Sequence, residues 1–194
     1  IKELLSRSQI LQAALQVTIV TLIFMLGYDL SQGLTLTTFD PSWYICICIN
    51  GVLLLFDYPI MYLIERLFGF TSSVTLIELS NVNMPLLRQM SKEAQGTFQH
   101  SMQVANLATE VAGKIGANIE LVRTGALYHD IGKMKNPAFF TENQRGINPH
   151  DSLSEERSAQ IIIQHVPDGL EMAEKHHLPS VLRGFIATHH GRSK

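Results

Sequence analysis

The 194-residue chain is poor in cysteine and in charge, and it has no excess of basic residues. Two cysteines are too few for the disulfide framework of a small secreted domain. Fifteen Lys and Arg against 17 Asp and Glu exclude a basic domain that coats nucleic acid. Charged residues make up only 16% of the chain, against about 25% in an average soluble domain. Because 46% of the residues are hydrophobic, a disordered chain is excluded and a purely soluble protein is disfavoured.

Charge and histidine are distributed unevenly along the chain. Residues 1–70 contain three basic and five acidic residues, whereas all eight histidines lie between His100 and His190. The first third is therefore apolar, and the remainder has an ordinary charge density, which predicts two regions of different physical class. No stretch alternates polar and apolar residues convincingly, so we predict an all-α fold. Because the chain opens at Ile1 rather than Met, we expect it to be part of a longer protein.

Two apolar runs predict a transmembrane helical hairpin. Residues 10–28 contain no charged residue, and residues 43–64 contain one acid, Asp57. A helix of about 20 residues crosses a hydrocarbon core of about 30 Å. The alternative is a pair of buried helices in a soluble core, but runs of this length exceed the usual core helix.

The distribution of basic residues predicts the orientation of this hairpin. The segment 29–42 between the runs has no Lys or Arg, whereas Lys2 and Arg7 precede the first run and Arg66 follows the second. The positive-inside rule then puts both ends in the cytoplasm. We predict a multi-pass protein of the cell membrane with its histidine-rich region in the cytoplasm. The corresponding divisions are a membrane part at 1–70, a connector at 71–96 and a cytoplasmic domain at 97–194.

The cytoplasmic domain has the pattern of a helical bundle. Gly116 is typical of a helix stop and Asn118 of the next helix cap. Ser152 and Glu155 have capping-box spacing, and Pro167 suits the first turn of a further helix. The predicted helices span 97–114, 119–132, 152–165, 167–178 and 180–190, with a loop at 133–151.

Six histidine and aspartate residues lie on different predicted helices, so packing can bring them together; they are His100, His129, Asp130, His165, His189 and His190. Imidazole and carboxylate ligands without thiolate suit Mn, Fe, Co or Zn in an open, catalytic site, whereas structural zinc more often uses cysteine. Neighbouring residues on a helix diverge by about 100°, which lets Asp130 bridge two metals while His129 binds one.

Two metals about 3.5–4 Å apart would generate hydroxide at neutral pH and stabilise both the attacking and the leaving oxygen of a phosphoester. Lys133, one turn beyond His129, adds a positive charge on the same face for a phosphate.

Each member of this set also has a purely structural interpretation. His100 shares a helix face with Val104, Leu107 and Val111, so taken alone it is typical of a core histidine. The pairs His129-Asp130 and His189-His190, taken singly, are weak signals, and only the complete set predicts a metal site. We assign no metal role to the remaining histidines, of which His150 in the polar loop either contacts substrate or is solvent-exposed; they are His150, His176 and His177.

The segment HDIGK, residues 129–133, resembles the HD phosphohydrolase superfamily. The resemblance is closer to the membrane-anchored PgpH-type HD proteins, which are seven-span receptors with an intracellular HD domain. It covers essentially the whole chain and is carried, in order, by IERLFGFTSSVTLIELSN, PLLRQMSKEAQGTFQHSMQVANLATEVAGKIGAN, ALYHDIGKMKNPAFFTENQ, NPHDSLS, HVPDG and HHG.

The resemblance implies a metal-dependent phosphodiesterase that opens cyclic di-AMP to the linear dinucleotide pApA with two divalent ions, manganese or iron. His100, His129 and Asp130 would hold one metal, and a bridging Asp130 would share the other with His165, His189 and His190. The implied catalytic residues are Asp130 and Lys133, with Lys133 contacting a substrate phosphate and a metal-bridging hydroxide as nucleophile. The expected partners are a cyclic dinucleotide and the lipid bilayer, with no DNA or RNA polymer.

The sequence also departs from this family. The family's HD domain continues beyond the HHG motif and supplies a further Asp ligand, whereas this chain ends at Lys194. We therefore expect an HD bundle that is truncated at its C-terminus, with an incomplete metal shell. The activity is predicted for a longer parent protein rather than for these 194 residues alone.

Other functions remain open at this point. An HD-GYP-type enzyme acting on cyclic di-GMP shares the HD pair and the double histidine, but GRSK follows His190 here instead of a Glu-containing extension. A nucleotide phosphohydrolase of the HD group is a further possibility. The alternatives of a different class are a non-catalytic membrane receptor that binds a cyclic dinucleotide, and a structural membrane protein with incidental histidines.

Overall fold

The computed structural model describes residues 7–33 and 40–191, without the side chains of residues 7–10 and 58. The described residues form eight α-helices joined by turns and short 3₁₀ segments, and these ranges contain no strand. The predicted all-α fold is confirmed. In chain order the helices are α1 (Arg7–Ser31), α2 (Ser42–Phe68), α3 (Ser73–Leu79), α4 (Pro85–Glu93), α5 (Gln95–Ile115), α6 (Ile119–Tyr128), α7 (Glu155–Lys175) and α8 (Ser180–Thr188).

The chain divides into two compact units, Ile1–Val74 and Thr75–Lys194. We call them the N-terminal unit and the C-terminal unit. The topology prediction rests partly on the side chains of Lys2 and Arg7, which lie outside the described residues. Residues 192–194, which separate the HD-GYP alternative from the others, also lie outside them.

The N-terminal unit is a pair of long apolar helices. Both are long and apolar enough to cross a membrane by length and composition, over Leu11–Ser31 and Ser42–Phe68. The hydroxyl of Tyr44 donates to Asp29 at 2.7 Å. Near mid-helix, a Cβ on Gly51 would come within 2.6 Å of the Thr18 hydroxyl oxygen, so the two backbones approach closely there. Because these two pairings run in opposite directions along the chain, α1 and α2 are antiparallel.

The C-terminal unit is built around a core of aliphatic side chains from α3 to α8. Its fully buried members include Leu87 on α4, Leu127 on α6 and Ile186 on α8. Each such side chain contributes about 1.5–3 kcal/mol by leaving water. The segment predicted as a connector contributes to this core as well, through Leu76, Leu86, Leu87, Met90 and Ala94.

Two buried hydroxyl groups attach α3 to α6. The hydroxyl of Thr124 lies 2.9 Å from the carbonyl oxygen of Leu76 and 2.8 Å from that of Glu120, and Tyr128 donates to that of Leu79 at 2.9 Å. Both α3 carbonyls belong to its last turn, and that of Leu76 also accepts from the backbone N–H of Ser80 at 2.9 Å. Residues 75–96 are therefore part of the same packed unit as the helices that follow them.

The boundary between α5 and α6 follows the sequence signals. Gly116 has φ of 70° and ends α5 in the left-handed conformation. The Asn118 side chain then accepts a hydrogen bond from the backbone N–H of Leu121 at 3.0 Å. Helix α6 is shorter than the predicted 119–132, because the chain turns at Asp130 into a 3₁₀ segment, Ile131–Lys135.

The predicted break at Pro167 is wrong, since α7 runs through this residue without interruption. Proline removes one backbone donor within the helix. The turns around it are held by buried His165, Asp168 and Gly169, which pack one face of α7 into the unit. The predicted capping box is also displaced, because Ser154 rather than Ser152 caps α7, accepting from the N–H of Arg157 at 3.3 Å.

The predicted apolar face of α5 is partly wrong. Leu107 and Val111 are 67% and 57% exposed. The buried positions carry small side chains instead, namely Ser101, Ala105 and Ala112. Small residues let helices approach closely, and α5 adds Phe98, Met102 and Val104 to the edge of the core while Leu107 and Val111 stay exposed.

Candidate metal centre

The six predicted ligands come from four parts of the C-terminal unit. His100 lies on α5 and His165 on α7, while His129-Asp130 and His189-His190 directly follow the ends of α6 and α8. The structure brings all of them together. Asp130 and His165 are buried, His129 and His189 are half-buried, and His100 and His190 are exposed. The cluster therefore runs from the interior to the surface and is open to ligands on one side.

The side chains converge on the carboxylate of Asp130. Its Oδ2 lies 3.1 Å from Nε2 of His129, and its Oδ1 lies 3.5 and 3.4 Å from Nε2 of His165 and His189. Nε2 of His165 is also 3.2 Å from the Nε2 atoms of both His189 and His190. The ring of His100 lies 5.8 Å from that of His129, centroid to centroid.

Close backbone contacts hold the elements that carry these ligands. A Cβ on Gly132 would come within 1.9 Å of the His165 carbonyl oxygen, so the turn after Asp130 lies directly against α7. A Cβ on Gly125 would come within 2.3 Å of the Phe185 ring, which brings α6 against α8. Glycine is required at both positions because any side chain would separate the helices.

Hydrogen bonds to the backbone define the orientation of three imidazoles. Nδ1 of His129 lies 2.6 Å from the Ala126 carbonyl oxygen, and Nδ1 of His189 lies 2.9 Å from that of Ile186. His165 makes the same contact with Ile162. Because a carbonyl only accepts, each Nδ1 carries a proton, and Nε2 is the ring nitrogen directed at the cluster.

Electrostatics favour a charged Asp130 carboxylate beside a charged His129, with His165 and His190 neutral. Burial opposes ionisation of Asp130, but the hydrogen bond from His129 and the proximity of His189 and Lys133 outweigh it and hold its pKa far below the ordinary range. Burial lowers the pKa of His165, and burial together with the neighbouring imidazoles lowers that of His190. At His129 burial is outweighed by the hydrogen bond and charge of Asp130, which raise the pKa.

These residues fit a divalent metal ion. Asp130 Oδ1 is buried, and it has no hydrogen-bond partner among residues 7–33 and 40–191. The nearest groups are Nε2 lone pairs, which repel one another and the carboxylate unless a proton or a cation lies between them. Potential ligand atoms lie within 4.8 Å of one another in two groups, His165 with His189 and His190, and His100 with His129 and Asp130. Nitrogen and oxygen donors of this kind suit first-row divalent metals.

Lys133 lies beside the cluster, as the sequence predicts. Its Nζ is 2.9 Å from Asp130 Oδ2 and 2.9 Å from Glu142 Oε1. Burial is outweighed by these two carboxylates, which raise the pKa of Lys133 and keep it charged.

Sequence reasoning missed two residues of the loop at 136–152. The ring of Phe140 lies 5.7 Å from that of His165 and 5.0 Å from Lys133 Nζ, and Glu142 pairs with the same ammonium. Helical periodicity could not identify them because they lie in short 3₁₀ turns and extended residues.

The other three histidines lie outside the cluster. His150 is half-buried, and its Nε2 lies 2.9 Å from the Phe139 carbonyl oxygen, so it joins two turns of the loop rather than facing solvent freely. His176 and His177 are exposed after the end of α7.

Comparisons with known proteins give a family match that includes the clustered residues. The family described as HD domain matches residues 97–194. The chain is 41% identical over 189 residues to cyclic-di-AMP phosphodiesterase PgpH of Listeria monocytogenes serotype 1/2a (strain 10403S), covering 95% of this chain and 26% of that protein. It is 39% identical over 194 residues to the protein of the same name from Bacillus subtilis (strain 168), covering 97% of this chain and 27% of that protein.

The chain is also similar to a solved structure of an HD domain. The crystal structure of the L. monocytogenes phosphodiesterase PgpH HD domain in complex with cyclic-di-AMP is 50% identical, with a TM-score of 0.56, covering 58% of this chain and 53% of that chain. The chain spans about a quarter of the length of the curated relatives it matches. Since the family match covers half of the chain and includes all six clustered residues, the chain belongs to the HD domain family.

Proposed function

We propose that this chain is part of a metal-dependent phosphodiesterase that hydrolyses cyclic di-AMP to pApA. The observation that carries the proposal is the buried Asp130 carboxylate, with one oxygen unpartnered and imidazole Nε2 atoms around it. Relatives named cyclic-di-AMP phosphodiesterase, at 39% and 41% identity over nearly the whole chain, support the substrate.

The proposed cofactors are two divalent ions, manganese or iron, with Asp130 shared between them. His100 and His129 complete one ligand group, and His165, His189 and His190 complete the other. When bound, such ions activate water for attack on phosphorus and neutralise charge on the phosphate oxygens.

The protein's own residues supply orientation and charge. The Nδ1–H groups of His129, His165 and His189 donate to backbone carbonyls and keep the opposite nitrogens directed at the site. The ammonium of Lys133 offers a positive charge to a substrate phosphate oxygen. Exposed His100 and His190 mark the side from which a dinucleotide can enter.

We further propose a multi-pass protein of the cell membrane. Residues 1–70 would contain the spans, residues 71–96 the connector, and residues 97–194 the HD domain on the cytoplasmic side. The two apolar helices and the basic residue Arg66 after the second run support this arrangement.

The test uses the full-length protein, purified in detergent and loaded with manganese. It is incubated with cyclic di-AMP and cyclic di-GMP in parallel, and the products are separated by chromatography. We expect pApA from cyclic di-AMP, no cleavage of cyclic di-GMP, and loss of both activity and bound metal in Asp130→Asn. Cleavage of cyclic di-GMP alone would favour the HD-GYP-type enzyme. Binding of a cyclic dinucleotide without cleavage would favour a receptor.

A further inference from the structure

The ammonium group of Lys133 lies between the carboxylates of Asp130 and Glu142, and only Asp130 also faces the imidazole cluster. Asp130 Oδ2 and Glu142 Oε1 each lie 2.9 Å from its Nζ. Asp130 also faces the imidazole cluster, where its charge is needed by any cation the cluster holds. A divalent ion held by Asp130 would weaken the attraction between Asp130 and the lysine, because the ion would be the largest local charge. Glu142 is then the anchor that remains for the ammonium group.

Glu142 is itself fixed to the first turn of α5. Its Oε1 accepts a hydrogen bond from the hydroxyl of Thr97 at 3.0 Å. The adjacent Asn143 accepts from the backbone N–H of Thr97 at 3.1 Å and donates to its hydroxyl at 2.7 Å. A Cβ on Gly96 would come within 1.8 Å of the Glu142 carbonyl oxygen, so the loop lies directly on the helix.

This attachment connects Lys133 to a helix that carries a proposed metal ligand. Thr97 is fully buried, and His100 follows it one turn later on α5. The carboxylate of Glu142 therefore has a fixed position relative to both the helix and the cluster. A lysine side chain has several rotatable bonds and about 2 kcal/mol of rotamer entropy, so a fixed partner determines where its charge lies.

We propose that Glu142 is a positioning residue, which holds the ammonium of Lys133 where it meets a phosphate of the substrate. The inference rests on the proposed function, in which Lys133 contacts that phosphate. Glu142 itself need not touch the substrate. The competing explanation is purely structural, with Glu142 serving only to attach the loop at 136–152 to α5.

A double-mutant cycle separates the two explanations. Glu142→Gln keeps the size of the side chain and an oxygen that accepts from Thr97, but it removes the charge that pairs with Lys133. Lys133→Met removes the ammonium and keeps most of the aliphatic chain. The two single variants and the double variant are made in the full-length protein, purified in detergent and loaded with manganese. The probe is the bis-phosphorothioate analogue of cyclic di-AMP, whose dissociation constant is measured by calorimetry.

We expect Glu142→Gln to weaken analogue binding about 10-fold when Lys133 is present, and less than about 2-fold in the Lys133→Met background. In steady-state kinetics the same variant should raise KM for cyclic di-AMP with a smaller change in kcat, because the phosphate contact exists before the transition state. Metal content, measured by mass spectrometry, should be unchanged.

The matched control is Glu171→Gln. Glu171 is 74% exposed and pairs with Lys135 at 3.1 Å in the same unit, so its replacement should leave analogue binding within about 2-fold. Equal losses from Glu142→Gln in both backgrounds, or no loss in either, would overturn the role of Glu142 while the proposed function stands. A wild-type protein that neither cleaves cyclic di-AMP nor binds the analogue would overturn both.

Discussion

The two units of the chain place their apolar side chains in opposite environments. In the N-terminal unit Phe24 on α1 is 79% exposed, and most other large side chains of α1 and α2 are exposed with it. In the C-terminal unit Leu127 and Ile186 are fully buried. An apolar surface of that extent is typical of a helix whose surroundings are also apolar. The same residue types are therefore exposed on the two candidate spans and packed into a core in the C-terminal unit, so composition alone does not say which environment they occupy.

Polar chemistry shows the same contrast between the units. The histidines all lie in the C-terminal unit, where four parts of the chain bring together six residues that could hold metal. The substitution with the largest expected effect is Gly132→Ala. The new Cβ would lie 1.9 Å from the backbone oxygen of His165, which cannot move without displacing α7. We expect a loss of about 3 kcal/mol or more in the free energy of unfolding, together with reduced metal binding. Denaturant unfolding and metal analysis of the variant measure both.

The control for this variant is Gly184→Ala on α8, where a Cβ would meet nothing within 4 Å. Alanine is the better helix former there, so stability should rise by about 0.5–1 kcal/mol. Equal effects at the two glycines would contradict the role assigned to Gly132.

An arginine introduced at one exposed apolar position in each unit distinguishes a side chain that faces lipid from one that faces water. We expect Phe24→Arg to disfavour membrane insertion of α1 by about 2.5–3.5 kcal/mol, because the charge would lie in hydrocarbon. Leu107→Arg, at a side chain 67% exposed on α5, should change the stability of its unit by less than about 0.5 kcal/mol. Insertion is measured by glycosylation mapping and stability by thermal unfolding. If both substitutions are tolerated equally, α1 does not face lipid.

Acid should destabilise the C-terminal unit in particular. The pKa of His165 is lowered from its ordinary 6.5 in the folded chain, mainly by burial. Just below pH 6.5 the unfolded chain therefore binds more protons, and stability falls as pH falls through this window, by at most about 1.4 kcal/mol per pH unit for one group. His165→Gln should flatten the slope between pH 6.5 and 5.

The measurement is urea unfolding of protein kept free of metal with a chelator. Gly184→Ala, which replaces no titratable group, is the control and should leave the slope unchanged. A slope that persists in His165→Gln would assign the acid sensitivity to other groups.

The smallest effect concerns the hydrogen bond between the last turn of α3 and α6 within the C-terminal unit. Tyr128→Phe removes the donor to the Leu79 carbonyl oxygen and leaves the ring in place. The variant should lose about 0.5–1.5 kcal/mol in the free energy of unfolding, the ordinary contribution of one hydrogen bond. Denaturant unfolding with an unchanged m-value would confirm it, whereas a wild-type midpoint would show that α3 is not held by this bond.

Part of the fold could be predicted because the signals were local. Gly116 and Asn118 set a helix boundary through the conformation and capping chemistry of single residues, and both predictions are confirmed. The helix break predicted at Pro167 was wrong because the effect of a proline on a helix depends on tertiary packing. Here the packed turns on either side of it keep α7 continuous. The burial predicted for Leu107 and Val111 was wrong because an apolar stripe does not reveal whether a face of smaller residues on the same helix packs more closely.

The residue types of the site were available in the sequence, but its geometry was not. The lack of polar–apolar alternation predicted the all-α class, and the ordered motifs around His129-Asp130 indicated the family and the six candidate ligands, because imidazole and carboxylate side chains are recognisable metal ligands whatever the fold. Only the tertiary structure decided that Asp130 Oδ1 is left without a partner and that Glu142 faces Lys133. The physical reason is range: capping and periodicity act within a few residues, whereas these contacts form only when helices pack across the whole unit.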